Sequence, residues 1–268
     1  MARIIAACNA KGGTGKTTVS ANLAATLAHL HGKKVLCVDL DAQGSFGISF
    51  GLDPRHLELT TFNLLTAEAP DIRDYIVEIE QVPNLYLIPN AISADLETRL
   101  ESSHNRDSLL KMRLRQIRRD FDYIIIDTPP AMRTATMNAL VAADEVIVVI
   151  DCGYYALYGL NDLMREIARV QDAYEKEQII VRGLLNMFNK GQNLDRDIRR
   201  EVFDFFGGLM IQTVIHKNVR IGEATSAHMP IIIFDRTASG SFDFVKLTKE
   251  LLAEYEPEEE KRTSRLVK

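Results

Sequence analysis

The chain has 268 residues, 46% of them hydrophobic, with 32 Lys and Arg against 37 Asp and Glu and a formal net charge of −5. That length suits one large α/β domain or at most two smaller ones, and no apolar run approaches the ~18 residues of a membrane span. An acidic balance excludes a chain that binds nucleic acid through its overall charge and leaves that role to local basic patches.

In chain order, short apolar runs alternate with amphipathic segments. Strands are predicted at residues 4–8, 35–40, 85–89, 123–127, 146–150, 179–186 and 211–214. Helices are predicted at 19–30, 93–100, 107–119, 134–142, 157–174, 194–206 and 242–255. Near-continuous apolar strands between helices predict a three-layer α/β fold, a mostly parallel twisted sheet with helices on both faces. With no internal repeat and no Pro/Gly/Ser-rich linker, 1–255 read as a single domain and 256–268 as a charged, frayed tail. Met1-Ala2-Arg3 leads straight into the first strand, so no signal peptide is expected and the sequence reads as cytoplasmic. Cys8, Cys37 and Cys152 are scattered without metal-like spacing, and the first two sit in strand-like runs as small core residues.

Between the first strand and the first helix stands Asn9-Ala10-Lys11-Gly12-Gly13-Thr14-Gly15-Lys16-Thr17-Thr18. Strand, glycine-rich loop and helix form the context of a phosphate-binding loop. Gly12, Gly13 and Gly15 offer no side chain to block a phosphate and can take positive φ, so that N–H groups point at the anion. The helix adds its positive N-terminal end. Lys16 is placed for the outer phosphates of ATP and the Thr17 hydroxyl for Mg²⁺. The second strand ends in Asp39-Leu40-Asp41, two carboxylates on one side of the chain at the edge where open α/β sheets bind ligands. At 121–130, Phe-Asp-Tyr-Ile-Ile-Ile-Asp-Thr-Pro-Pro places Asp127 at the end of an apolar strand, facing Mg²⁺ through a water, before two prolines turn the chain sharply.

The string Lys-Gly-Gly-x-Gly-Lys-Thr-Thr has Ala10 where the general pattern has glycine, and a second lysine five residues before Lys16. It resembles the deviant Walker A box of the ParA/MinD family of ATPases. The resemblance runs from Arg3 to Tyr255. It implies that Lys11 is a signature lysine that reaches the nucleotide of a second subunit, so that Lys11, Lys16 and Asp41 form the catalytic set. Asp39-Leu40-Asp41-Ala42-Gln43-Gly44 is similar to the family's D-x-D-x-Q-G switch, which implies that Asp41 positions the attacking water and Asp39 supports the Mg²⁺ shell with Thr17 and Asp127. Thr128-Pro129-Pro130 is by the same resemblance a loop that senses the γ-phosphate.

Asp151-Cys152-Gly153-Tyr154-Tyr155-Ala156-Leu157-Tyr158-Gly159-Leu160 resembles the Q-C-E-Y-Y-A-L-E-G-L segment of the partition branch, with Gly153 and Tyr158 in place of glutamates. The nucleotide set implied is Lys11 to Thr18 (Gly12, Gly13, Thr14, Gly15, Lys16, Thr17, Thr18), with Asn186 or Met187 and Pro230 at the base. Residues 213–224 resemble the branch's T-V-I-P-R-N-V-R-L-S-E-A. This implies non-specific DNA binding through Arg220, with Lys217 beside it. In Asp235-Arg236-Thr237-Ala238-Ser239, Ser239 replaces a usual basic residue and Arg236 stands as the substitute. The expected cycle is an ATP-dependent homodimer on DNA, released when a ParB-like partner stimulates slow hydrolysis, in a nucleoid-associated protein that moves a chromosome, plasmid or other cargo. The alternative is a MinD-like membrane-cycling ATPase, against which stands a tail without an apolar helical face. An iron–sulfur reductase of the nitrogenase iron-protein type is disfavoured by its cysteine requirement, since none follows Asp127 in the switch loop.

Overall fold

The apolar runs become strands because each can be buried on both faces of a parallel sheet. They are β1 (Arg3–Cys8), β2 (Val35–Asp39), β3 (Val77–Glu78), β4 (Leu85–Ile88), β5 (Tyr123–Asp127), β6 (Glu145–Asp151) and β7 (Ile180–Asn186). The computed structural model describes residues 1–92, 96–102, 105–153, 157, 159–174 and 179–256. The seven strands form one sheet in the order β3-β4-β2-β5-β1-β6-β7. All neighbours run parallel except the short edge strand β3, which pairs antiparallel with β4.

Period-two alternation divides the core into two layers. Ile4, Ala6 and Cys8 face one cluster and Ile5 and Ala7 the other. The first layer is closed by α3 (Thr61–Thr66), α4 (Leu96–Glu101), α5 (Leu109–Leu114), α6 (Thr134–Ala142), α7 (Leu160–Ala173) and α8 (Asn193–Phe206). The second is closed by α1 (Lys16–His31), α2 (Ser45–Ile48), α9 (Val219–Ser226), α10 (Ile231–Phe234) and α11 (Ser239–Tyr255). Among the described residues no helix is long and apolar enough to cross a membrane.

Three expectations change. Residues 211–214 form no strand. Ile211 N and Ile215 N do reach Gly183 O and Leu185 O of β7. The N–H groups of Gln212 and Thr213 between them go instead to the Glu250 carboxylate of α11, at 2.6 and 2.8 Å, so no continuous ladder forms. The helix expected over 107–119 is α5 alone, followed by i→i+3 turns at Gln116, Ile117 and Asp120. The first residue of the tail is held: Glu256 accepts from Lys33 and from the Tyr123 hydroxyl. Residues 257–268 lie outside the described residues, as do the expected start of the 93–100 helix and Tyr154, Tyr155 and Tyr158.

Candidate nucleotide-binding site

Residues 9–18 leave the C-terminal end of central strand β1 and enter α1. Gly13 and Gly15 have φ of 76° and 86°, a region that favours glycine. Gly15 is constrained twice, since a Cβ there would lie 2.4 Å from Asn186 Nδ2. It is also the N-cap of α1, which has no side-chain cap and no acidic residue in its first turn. The N–H groups of that turn and the positive helix end are therefore presented to an anion.

Two buried asparagines brace the loop. Asn9 donates to Val149 O of β6 at 2.8 Å and accepts from Lys11 N. Asn186 donates to Thr14 O at 2.8 Å. The two lysines diverge. Lys16 is buried, with Nζ 3.4 Å from Lys11 O, and burial lowers its pKa against the pull of Asp127. Lys11 has a side chain 40% exposed and donates to Asp151 Oδ2 at 2.6 Å. Gly153 makes room for that pair: a Cβ there would sit 2.8 Å from Lys11 Nζ and 3.0 Å from Asp151 Oδ2.

The register of β2 and β5 sets Asp39 opposite Asp127, both fully buried. Burial is the main reason Asp127 is pushed up to about 7. Burial and then the Asp127 charge raise Asp39 well above the carboxylate range. Asp127 accepts from Thr17 Oγ1 at 2.6 Å and from Ser20 Oγ at 3.3 Å. The oxygens of Asp39 accept from Asp41 N and Phe46 N, both at 3.0 Å, so this carboxylate shapes the loop that presents Asp41. Buried Asn90 tethers the same loop by donating to Asp41 O.

These groups surround a cleft of about 450 Å³, a size that suits a small-molecule ligand. Gly12, Gly13, Gly15, Lys16, Thr17 and Thr18 line one wall. Asp41, Ser45, Ile48 and Ser49 line another, and Pro130, Met187 and Thr225 close the sides. Thr14 lies buried beneath the loop, and Asn186 stands behind the wall that Met187 forms. Pro230 is buried as the N-cap of α10 and does not line the cleft. Lys217 and Arg236 are exposed. Arg220 is held by Glu223 at 2.5 Å and Asp235 at 2.9 Å. Sequence reasoning missed Asn9, Asp151, Ser45, Ser49 and Thr225. Only Asp151 carried a signal, as an acid ending a strand at the same edge as Asp39 and Asp127.

The donors fit a nucleotide with Mg²⁺. A hydroxyl and a buried carboxylate suit a hard cation that completes its shell with water and phosphate oxygens, and a cation beside two buried carboxylates offsets the burial that raises their pKa.

Comparison with known proteins agrees. The family model of an AAA domain matches residues 2–180. The sporulation initiation inhibitor protein Soj of Bacillus subtilis is 39% identical over 254 residues, which cover 94% of this chain and 99% of that one. The chain belongs to the ParA/Soj family of ATPases. The chromosome partitioning protein ParA of Caulobacter vibrioides is 35% identical to this ParA/Soj-type ATPase over 94% of each chain. A solved structure of a cobyrinic acid a,c-diamide synthase from Mycobacterium smegmatis, with ADP and magnesium bound, has a TM-score of 0.79, 28% identity and coverage of 95% and 96%. The septum site-determining protein MinD from Pyrococcus horikoshii, with Mg-ADP, has a TM-score of 0.76, 26% identity and coverage of 94% and 96%. Family and site together make this ParA/Soj-type protein an ATPase that uses ATP and Mg²⁺.

Proposed function

We propose that this ATPase is a partition switch. ATP·Mg²⁺ closes two copies face to face, the dimer binds DNA without sequence preference, and a ParB-like partner stimulates an otherwise slow hydrolysis that releases it. The cargo is a chromosome, a plasmid or another large body, as the names of the Soj and ParA relatives suggest.

One observation carries this reading: the two lysines of a single loop point to different tasks. Lys16 is buried in the cleft, where its ammonium meets the outer phosphates of its own nucleotide. Lys11 sits outside, half exposed and paired with Asp151. A partly exposed ion pair is weak, so Lys11 can exchange Asp151 for the phosphates of a second subunit. There it adds positive charge where the transition state gathers negative charge, in a space from which the second subunit excludes water. Thr17 and Asp127 would hold Mg²⁺, which would supply positive charge to screen the phosphate oxygens. Asp41, presented by the loop that Asp39 shapes, orients the attacking water.

The test is size-exclusion chromatography with a slowly hydrolysed ATP analogue. The wild type is expected to elute as a dimer and Lys11→Ala as a monomer that still binds nucleotide. A Lys11→Ala variant that dimerises like the wild type would refute the trans role. Asp41→Ala is expected to dimerise and to hydrolyse on the order of 100-fold more slowly, measured by phosphate release.

A further inference from the structure

Helix α9 ends in a complete cap that seats an unexpected residue. His228 N reaches Thr225 O and Met229 N reaches Ala224 O, both at 3.0 Å. That pair of bonds is the Schellman arrangement, in which the residue after the C-cap takes the left-handed region and is usually glycine. Here it is His228, with φ of 56°. A residue with a Cβ is disfavoured at that angle, so nothing local to the cap favours a histidine.

The imidazole makes a long-range contact instead. Its Nδ1 lies 3.1 Å from Ile48 O, 180 residues away, at the last residue of α2. A carbonyl only accepts, so Nδ1 carries the proton and donates. Among the described residues this is the only hydrogen bond between α2 and the α9 cap.

Both ends of that bond belong to the nucleotide site. Ile48 lines the cleft from α2, and Thr225 lines it from the last turn of α9. The start of α2 is packed closely: a Cβ on Gly44 would lie 2.8 Å from Asn90 O, and Asn90 also tethers Asp41. The end of α2 has more space. Beyond Ile48 lies a second cavity of about 440 Å³, lined by Leu52, Pro54, Ile92 and His228 as well as by Ile48 itself. With a cavity on either side, the end of α2 has room to shift, and the imidazole ties it. The far side of the cap is anchored to the phosphate-binding helix. Buried Asn22 of α1 accepts from Ile231 N at 2.7 Å and donates to Thr18 O at 2.8 Å. The segment 225–231 therefore runs from α2 to α1, with Thr225 facing the ligand.

We propose that His228 is a positioning residue of the nucleotide site, a clasp that holds α9 to α2 across one side of the cleft and slows the release of bound nucleotide. The proposal rests on ATP and ADP binding in this cleft and not on the dimer or DNA readings. The test is stopped-flow release of N-methylanthraniloyl-ADP with Mg²⁺ from the full chain, chased with excess unlabelled ADP, beside a thermal melt. His228→Gly accepts the left-handed angle and has no side chain to reach α2. It is expected to melt at or above the wild-type temperature and to release ADP about 3- to 10-fold faster, the worth of one net hydrogen bond. His228→Asn also tolerates that angle and keeps an N–H donor at the δ position, so it is expected to release ADP within about 2-fold of wild type. A purely structural cap would move the melting temperature and leave release alone. Wild-type release by His228→Gly would therefore overturn the clasp, whatever its melting. Equal acceleration in both variants would overturn it too, because the bond to Ile48 would not be the cause.

Discussion

Strand β6 begins at Glu145 and ends at Asp151, and the two carboxylates live differently. Glu145 is fully buried. It accepts from Arg3 at 2.9 Å and from the Tyr255 hydroxyl at 2.7 Å, with Arg182 Nε at 2.9 Å. Arg3 in turn lies 3.8 Å over the Tyr255 ring. Arg182 also pairs with Glu254, so the cluster fastens the end of α11 to the start of the sheet. Asp151 is one-fifth exposed and, among the described residues, holds a single hydrogen-bond partner, Lys11. The same contrast runs along both edges of the sheet. At the beginning of β6, charges are paired and structural. At the strand ends, Lys16, Asp127 and Asp39 are buried, and burial outweighs their partners in shifting each one, an arrangement that a bound cation and anion relieve.

Four substitutions probe this contrast. Glu145→Ala leaves Arg3 and Arg182 without their shared partner and is expected to cost about 3–5 kcal/mol in urea unfolding, with ATP affinity of the folded protein unchanged. A stable Glu145→Ala protein that bound ATP poorly would reverse the assignment of the two edges. Lys16→Ala is expected to weaken MgATP binding on the order of 10- to 100-fold by calorimetry, and to let the buried Asp127 carboxyl titrate higher still, since Lys16 is one of the charges that lowers it. Gly15→Ala forces a residue with a Cβ into the left-handed region and against Asn186, and is expected to cost about 1–2 kcal/mol in stability, with weaker nucleotide binding. The smallest effect is expected for Asp151→Asn. Releasing Lys11 should lower the ATP concentration at which the dimer appears by a few-fold, matching a pair worth about 0.2–1 kcal/mol. A shift in the opposite direction, read by light scattering, would show that Asp151 assists the dimer.

The central strands and the phosphate loop were legible because they obey local rules. Strands buried on both faces are continuous apolar runs, and the loop needs glycines and lysines at fixed offsets. Residues 211–214 misled because their apolar pattern is that of a strand, while the decision lies with Glu250, far along the chain in α11, which takes the N–H groups a ladder would need. Lys11 was recognisable, but Asp151 was not seen as its partner, because the pairing depends on the order β1-β6 in the sheet. Asn186 was expected at the base of the nucleotide. Its amide nitrogen donates to Thr14 O, a contact that exists only once β7 and the phosphate loop share an edge.

The bare α-carbon of Gly153 makes the resting position of Lys11 sensitive to a neutral atom. Alanine there would set a methyl group 2.8 Å from the ammonium and 3.0 Å from the carboxylate that holds it, a spacing at which one of them must give way. A small hydrocarbon wedge could thus tune how readily the lysine swings outward, with no charge added or removed anywhere in the protein.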